Sequence, residues 1–235
     1  MADETAGYRE RPSRMAGAVL WTRTVAVRDA SHPVLPDGCI DLIWSDGRLF
    51  IAGPDTAAQY PAIRPGASLA GIRFYPGTAP GLLGVPAHEL RDRRVDLDEL
   101  WPTATARRLT EQVDAAEDRG AALESIALAR AAAVDPPDPR LRRIVTALDS
   151  GWTIAATAEA VGLGPRLLHR RSLAAFGYGP KTLARVLRLQ RALRAARGGA
   201  PLAETAVVTG FADQAHLSRD VRELTGMPLR ELLSR

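Results

Sequence analysis

The 235-residue sequence predicts an α+β protein in two parts: a small antiparallel β sheet or barrel with helices after it, then an all-α region made of two copies of one helical module. Three observations carry this expectation. Ile154, Ala155, Thr157, Ala158 and Gly162 recur 48 positions later as Leu202, Ala203, Thr205, Ala206 and Gly210, so the C-terminal region repeats itself. The run Val134-Asp135-Pro136-Pro137-Asp138-Pro139 cannot continue a helix and reads as a short stiff linker over 134–139. Charge divides at the same seam: residues 140–235 hold 16 Lys and Arg against 7 Asp and Glu, net +9, while residues 1–139 carry −5.

From the N-terminus, residues 1–14 are polar and read as a disordered lead-in. Ala18 to Val27, Gly38 to Trp44, Leu49 to Ala52 and Ser68 to Tyr75 are short runs rich in β-forming residues, and Ser45-Asp46-Gly47 is a turn between two of them. They make 15–102 a β-rich domain, with a helical pattern from Ala79 to Leu83. Thr103 to Glu117 and Ala121 to Ala133 are Ala-rich and amphipathic. These helices, within 103–133, are placed either to connect the two parts or to pair with another subunit.

Past the linker, each copy reads as a short helix, a turn opened by Gly, a second helix carrying Leu-x-Arg, and a Gly/Pro stop, which is the helix-turn-helix plan. Leu202, Ala206 and Val207 make an apolar stripe on the first helix of the second copy. Gly210 ends that helix, Phe211 plugs the corner, and Asp213 is the expected N-cap of the next. Leu217, Val221 and Leu224 then face inward, leaving Gln214, Ala215, Ser218, Arg219 and Arg222 outside. Such amide, hydroxyl and guanidinium groups suit base edges and phosphates. On a lone helix they would more simply be a solvated face; the duplication favours DNA.

At these residues the chain resembles the C-terminal DNA-binding domain of AraC-type transcriptional regulators. The resemblance covers about residues 140–235. It rests on Gly210-Phe211-Ala212-Asp213-Gln214-Ala215-His216-Leu217-Ser218-Arg219, on Thr225-Gly226-Met227-Pro228, and on Phe176-Gly177-Tyr178-Gly179-Pro180. It implies two helix-turn-helix units joined by a long helix, here Thr182 to Ala196, with Leu183, Val186, Leu187, Leu189 and Leu193 on its apolar face and Arg185, Arg188, Arg191 and Arg194 elsewhere. It also implies that the second helix of each unit enters the major groove. Base readout would fall to Arg166, His169 and Arg170 in the first unit and to Gln214, Ala215 and Arg219 in the second. Phosphate contacts would come from helix starts near Thr153 and Leu202 and from Lys181. One departure stands out: Arg171 and Ser172 occupy positions where the family has an apolar and then an aromatic residue, which leaves Leu173 and Phe176 to take over the packing.

The segments Leu35 to Trp44, Gly71 to Gly77 and Leu82 to Pro86 look like an N-terminal domain carried by a subgroup of these regulators, over roughly residues 15–110. That resemblance implies a cupin-like sensor fold and names no ligand. Trp44, Arg73 and Tyr75 are the candidates for lining an effector pocket. His32, Asp37, Cys39 and Asp41 lie close in sequence, but no His-x-His pair accompanies them. They read as turn chemistry, with Asp37-Gly38 in a tight turn, Cys39 half-buried and Asp41 satisfying a backbone donor, so neither metal nor cofactor is expected. The single cysteine excludes an internal disulfide and fits a reducing cytoplasm, and no apolar run is long enough to span a membrane. The combined reading is a one-component transcription regulator that binds double-stranded operator DNA, with a small-molecule effector, a homodimer and a contact with RNA polymerase as the accompanying partners. The alternative is an enzyme or DNA-repair protein that uses the same module for delivery, with Cys39 as a reactive or metal-binding group.

Overall fold

The computed structural model describes residues 7–25 and 33–234. Strands β1 (Tyr8–Pro12), β2 (Ala18–Thr24), β3 (Ile40–Ser45), β4 (Arg48–Ala52), β5 (Ser68–Phe74) and β6 (Arg94–Asp96) form one antiparallel sheet in the order β1-β2-β5-β3-β4-β6. Of the expected sheet or barrel, the chain builds an open sheet with β1 and β6 as its edges. Successive side chains point to opposite faces. Leu20, Leu42, Ile51 and Ile72 enter the main core, whereas Trp21, Ile43, Ala52 and Leu69 form a smaller cluster on the other face.

The main core is closed by α1 (Ala79–Leu83), α2 (Ala87–Leu90), α3 (Leu97–Leu100), α4 (Thr103–Asp114) and α5 (Arg119–Ala132). Leu109 and Val113 of α4, with Leu123 and Ile126 of α5, are buried in it. The helices over 103–133 therefore spend their apolar faces on the sheet of their own domain.

The expectation of a disordered lead-in is corrected over residues 7–14. β1 pairs with β2 from Tyr8↔Arg23 to Pro12↔Val19. Beyond it Glu124, buried on α5, accepts hydrogen bonds from the Arg14 backbone N–H at 2.6 Å, from Arg14 Nε at 2.6 Å and from Ser13 Oγ at 2.8 Å. Burial pushes the Glu124 carboxyl up, but these hydrogen bonds outweigh it and hold the pKa below its ordinary value. Residues 1–6 and the end of the strand expected to reach Val27 lie outside the described residues; β2 ends at Thr24.

The second part begins at Asp138, whose side chain caps α6 (Pro139–Asp149) by accepting from Arg140 N. The first unit follows as α7 (Ile154–Ala160) and α8 (Pro165–Phe176), then α9 (Pro180–Arg197), then the second unit as α10 (Leu202–Val208) and α11 (Gln214–Thr225), closed by α12 (Leu229–Leu233). α9 belongs to both units. Leu183, Val186 and Leu187 sit in the core of the first, and Leu189, Ala192 and Leu193 in that of the second.

A carboxylate whose pKa is lowered by folding adds stability above its unfolded pKa, and that stability is lost as pH falls through the folded value. Acidification below the ordinary value of 4.5 should therefore loosen the Ser13–Arg14 attachment. Glu124→Ala should do so at neutral pH, seen as faster amide exchange over Tyr8–Pro12 with the exchange of β3 unchanged.

Candidate nucleic-acid interface

The second unit is shaped by its corner. Gly210 takes a φ of 83°, which favours glycine, and Phe211 N–H then donates to Ala206 O at 2.8 Å, turning the chain with the Phe211 ring buried beneath it. Asp213 caps α11 as expected, accepting from His216 N–H at 2.6 Å. The Phe211 ring meets the His216 ring edge-on and carries the Arg188 guanidinium 4.3 Å from its centroid. α11 buries Leu217, Val221 and Leu224 and leaves Gln214, Ala215, Arg219 and Arg222 exposed. Ser218 is half-buried, and its hydroxyl donates back to Gln214 O at 2.9 Å.

In the first unit Thr153 caps α7, and Pro165 opens α8 where a missing N–H costs nothing. Leu168, Ser172, Ala175 and Phe176 are the buried side of α8. The departure at 171–172 is thereby explained. Ser172 turns inward, and Arg171 reaches Asp138, the cap of α6. Asp138 also binds Arg140, whose hydrogen bonds are the main reason its carboxyl falls to about 2. Phe176 packs as expected, but Leu173 stays half-buried and contributes less than Leu168 and Ala175. Arg166 and Arg170 are exposed side by side with His169, whose ring leans over Gly179: a Cβ there would lie 2.8 Å from His169 Nε2. Lys181 is exposed in the first turn of α9.

Three of the α9 arginines tie elements together instead of facing solvent. Buried Asp220 of α11 accepts from Arg185 and, at 3.1 Å, from Arg188, while Arg185 also pairs with Glu223. Arg191 binds Asp149 at the end of α6 and Thr209 O at the end of α10. The sheet domain meets this assembly at the C-terminal ends of the second helices. Arg91 donates to Gly177 O at 3.3 Å, Ala58 N–H to Leu224 O at 2.9 Å, and the Tyr60 hydroxyl to Thr225 O at 3.3 Å. The N-terminal halves of α8 and α11 stay open.

On the far face of the sheet lies a groove of about 940 Å³. Of the three effector candidates, it contains Arg73. Trp44 lies on the opposite face with the Arg119 guanidinium 3.9 Å from its ring centroid, and Tyr75 is half-exposed beyond the end of β5. Asp41, expected to satisfy a backbone donor, instead accepts from Trp21 Nε1 at 2.6 Å and from Arg73 Nε at 3.2 Å. Gly71 makes this possible: the Trp21 indole lies across it, so close that a Cβ would come within 2.3 Å of the ring. The alternation of Leu69, Gly71 and Arg73 on β5 with Asp41 and Ile43 on β3 was the available sequence signal for this floor.

The Asp37 turn is as expected, its carboxylate accepting from Cys39 N–H at 2.8 Å. Cys39 is buried, and burial, then the Asp37 charge, raise its pKa well above the ordinary thiol value. A nucleophilic cysteine needs the opposite environment. His32 lies outside the described residues, and among the described residues no group of His, Cys, Asp or Glu is arranged to hold a metal ion. No described helix is long and apolar enough to cross a membrane.

Residues 157–235 match a helix-turn-helix domain family, and residues 18–96 match a domain of unknown function, DUF6597. No curated protein matches the chain. Among solved structures, a probable AraC family transcriptional regulator from Rhodopseudomonas palustris is 26% identical over 42% of this chain and 97% of its own, with a TM-score of 0.36. ToxT from Vibrio cholerae is 10% identical over 97% of each chain, with a TM-score of 0.49. The same protein with a bound unsaturated fatty acid is 10% identical, covering 99% of this chain and 97% of its own, with a TM-score of 0.47.

Cys39 should resist a thiol-specific disulfide reagent in the native protein and react fully once the chain is unfolded by guanidinium. Fast stoichiometric labelling of the folded protein would contradict its burial.

Proposed function

We propose that this chain, whose C-terminal region is an AraC-type helix-turn-helix domain, is a sequence-specific DNA-binding transcription regulator that reads two adjacent major-groove segments with α8 and α11. The observation that carries this is the pair of units built on one shared helix, each with the N-terminal half of its second helix open. The major groove admits an α-helix, and recognition helices read bases with their N-terminal residues. Arg166 and Arg170 read bases in the first unit, and Gln214, Ala215 and Arg219 in the second. Ser218 and Arg222 flank the second set. His169, held against Gly179, and neighbouring Lys181 contact the phosphate backbone.

The sheet domain is the sensor of the same molecule, which acts in the cytoplasm. Its responsiveness to an effector is supported by where it touches the DNA-binding part. Gln190 in the middle of α9 donates to Pro36 O at 2.6 Å, and residues 58–60 hold the end of α11. A ligand that shifts these segments shifts the two reading helices relative to each other.

Arg219→Ala should weaken specific binding by about 1–3 kcal/mol and relax preference at one base position. Lys181→Ala should weaken binding to all sequences and make the log–log salt slope shallower by about 0.9. Genome-wide site mapping followed by footprinting on the recovered site measures both, and footprints unaltered by Arg219→Ala would refute the base-reading role.

A further inference from the structure

Three of the four tryptophans of the chain are buried. Trp21 Nε1 donates to Asp41 at 2.6 Å, Trp101 Nε1 donates to Leu83 O at 3.0 Å, and Trp44 lies under the Arg119 guanidinium. Trp152 is the fourth. It is 52% exposed in the turn between α6 and α7, and its indole N–H has no hydrogen-bond partner among the described residues.

The turn that displays it is built twice. After α6, Ser150 N–H donates to Thr146 O, Gly151 N–H to Leu148 O and Trp152 N–H to Ala147 O. After α9, Gly198 N–H donates to Arg194 O, Gly199 N–H to Ala196 O and Ala200 N–H to Ala195 O. Gly151 and Gly199 both take a positive φ, 81° and 88°. Bond for bond, Trp152 therefore stands where the second unit has Ala200. A methyl group completes the same turn, so the local fold does not call for an indole. The indole is nevertheless held firmly: each backbone N–H from 150 to 152 is bonded, and Arg191 of α9 grips Asp149 through its carbonyl and its carboxylate.

Place in the unit decides what the indole meets. Thr153, the next residue, caps α7, and α7 packs on α8. With the open end of α8 in the major groove, the first helix of the unit crosses the DNA backbone, and the residue leading into α7 comes to that strand. Contacts to phosphate and sugar position a protein on the duplex. An indole offers one N–H donor and no acceptor, and its ring suits the apolar face of a deoxyribose. Charge agrees with this placement. Asp149, the nearest acid in sequence, is paired with Arg191 at 3.1 Å, and residues 140–235 carry net +9.

We propose that Trp152 is a DNA-backbone contact of the first unit, its ring against a deoxyribose and its Nε1–H donating to a phosphate of the strand beside the groove that α8 enters. The assignment rests on the regulator reading above and adds a contact that the second unit, with Ala200, lacks.

Tryptophan emission of the full chain, titrated with the operator duplex recovered by site mapping and with a scrambled duplex of the same length, tests it. Saturating operator should shield Trp152 from acrylamide quenching, and this change should be absent from Trp152→Phe, in which the three buried tryptophans remain. Trp152→Phe keeps a ring and loses the N–H, so it should weaken binding to both duplexes about three- to tenfold. Its log–log salt slope should stay unchanged, because a neutral donor releases no counterion. The proposal is overturned by acrylamide access that saturating operator leaves unaltered, or by Trp152→Phe and Trp152→Ala variants that both bind as the unaltered protein does. Shielding that grows with protein concentration in the absence of DNA would also overturn it, by assigning the indole to a contact between copies of the chain. If the variants do not fold, acrylamide access in the unaltered protein decides. A chain that binds neither duplex refutes the regulator reading and this contact with it, whereas operator binding with Trp152 still open to acrylamide refutes this contact alone.

Discussion

The burial of α9 in two cores at once is the constraint on which the rest of the DNA-binding part depends. Its 18 residues run about 27 Å. Over that length Leu183, Val186 and Leu187 close one unit, and Leu189, Ala192 and Leu193 the other. Each of these Leu and Val side chains contributes about 1.5–3 kcal/mol when fully buried, so neither unit can rotate about α9 without exposing part of its own core. Polar contacts add direction to that grip. Asp220 is nearly buried, and a buried charge is tolerated only when paired; Arg185 and Arg188 supply the pair from one face of α9. The heading of α11 is thus referred to α9 by charge as well as by packing.

The sheet domain adds a second set of references and places them with little tolerance. Gly177 ends α8 with a φ of 84°, and a Cβ there would approach Pro54 to 2.6 Å. The glycine is required both by the backbone and by the neighbouring domain. Phe176, just before it, lies 3.0 Å from where a Cβ on Gly77 would be. The Phe176-Gly177-Tyr178-Gly179-Pro180 run therefore does two jobs: it stops α8 and makes the surface on which the sheet domain sits. Substitutions there would disturb the end of α8 and the contact between the domains together, whereas Arg219 is exposed on α11.

What was legible in the sequence is what local chemistry determines. The repeat, the Gly210 corner, the Asp213 cap and the apolar face of α9 depend on residues a few positions apart, and the structure has them as read. The misses are long-range. β1 carries Arg9, Glu10 and Arg11 in a row because it is an edge strand with exposed side chains, so no alternation marks it. Its attachment depends on Glu124, about 110 residues away. The groove floor was legible only in part: the alternation on β3 and β5 marks which side chains share a face, not that the two strands are neighbours. Asp41 and Arg73 are direct partners in the β3–β5 register, and nothing in either segment announces that β5 lies between β2 and β3. Once that order is known, the contact follows. In the proline run α6 already begins at Pro139, and the Asp138 carboxylate before it pairs with both Arg140 and Arg171, the second of them 33 residues away and out of reach of local reading.

That last pairing makes the two units unlike in a way their sequences understate. Ser172 is fully buried, and its hydroxyl has no partner among the described residues, so the position uses small size rather than hydrogen bonding. Beside it, Arg171 ties α8 to the cap of α6, and so to the seam between the domains. Arg91 and Pro54 of the sheet domain hold the other end of the same helix. Among the described residues α11 has no counterpart to Asp138; the sheet domain supports the second unit through residues 58–60 at the last turn of α11 and through Leu35, which packs against the core of that unit. The first unit is accordingly fixed in the frame of the sheet domain, and the second in the frame of α9, with Leu35 and residues 58–60 as its additional contacts. A shift of the sheet domain against α9 would then register as movement of the second unit relative to the first, carried by Leu35, Ala58 and Tyr60, which touch that unit directly.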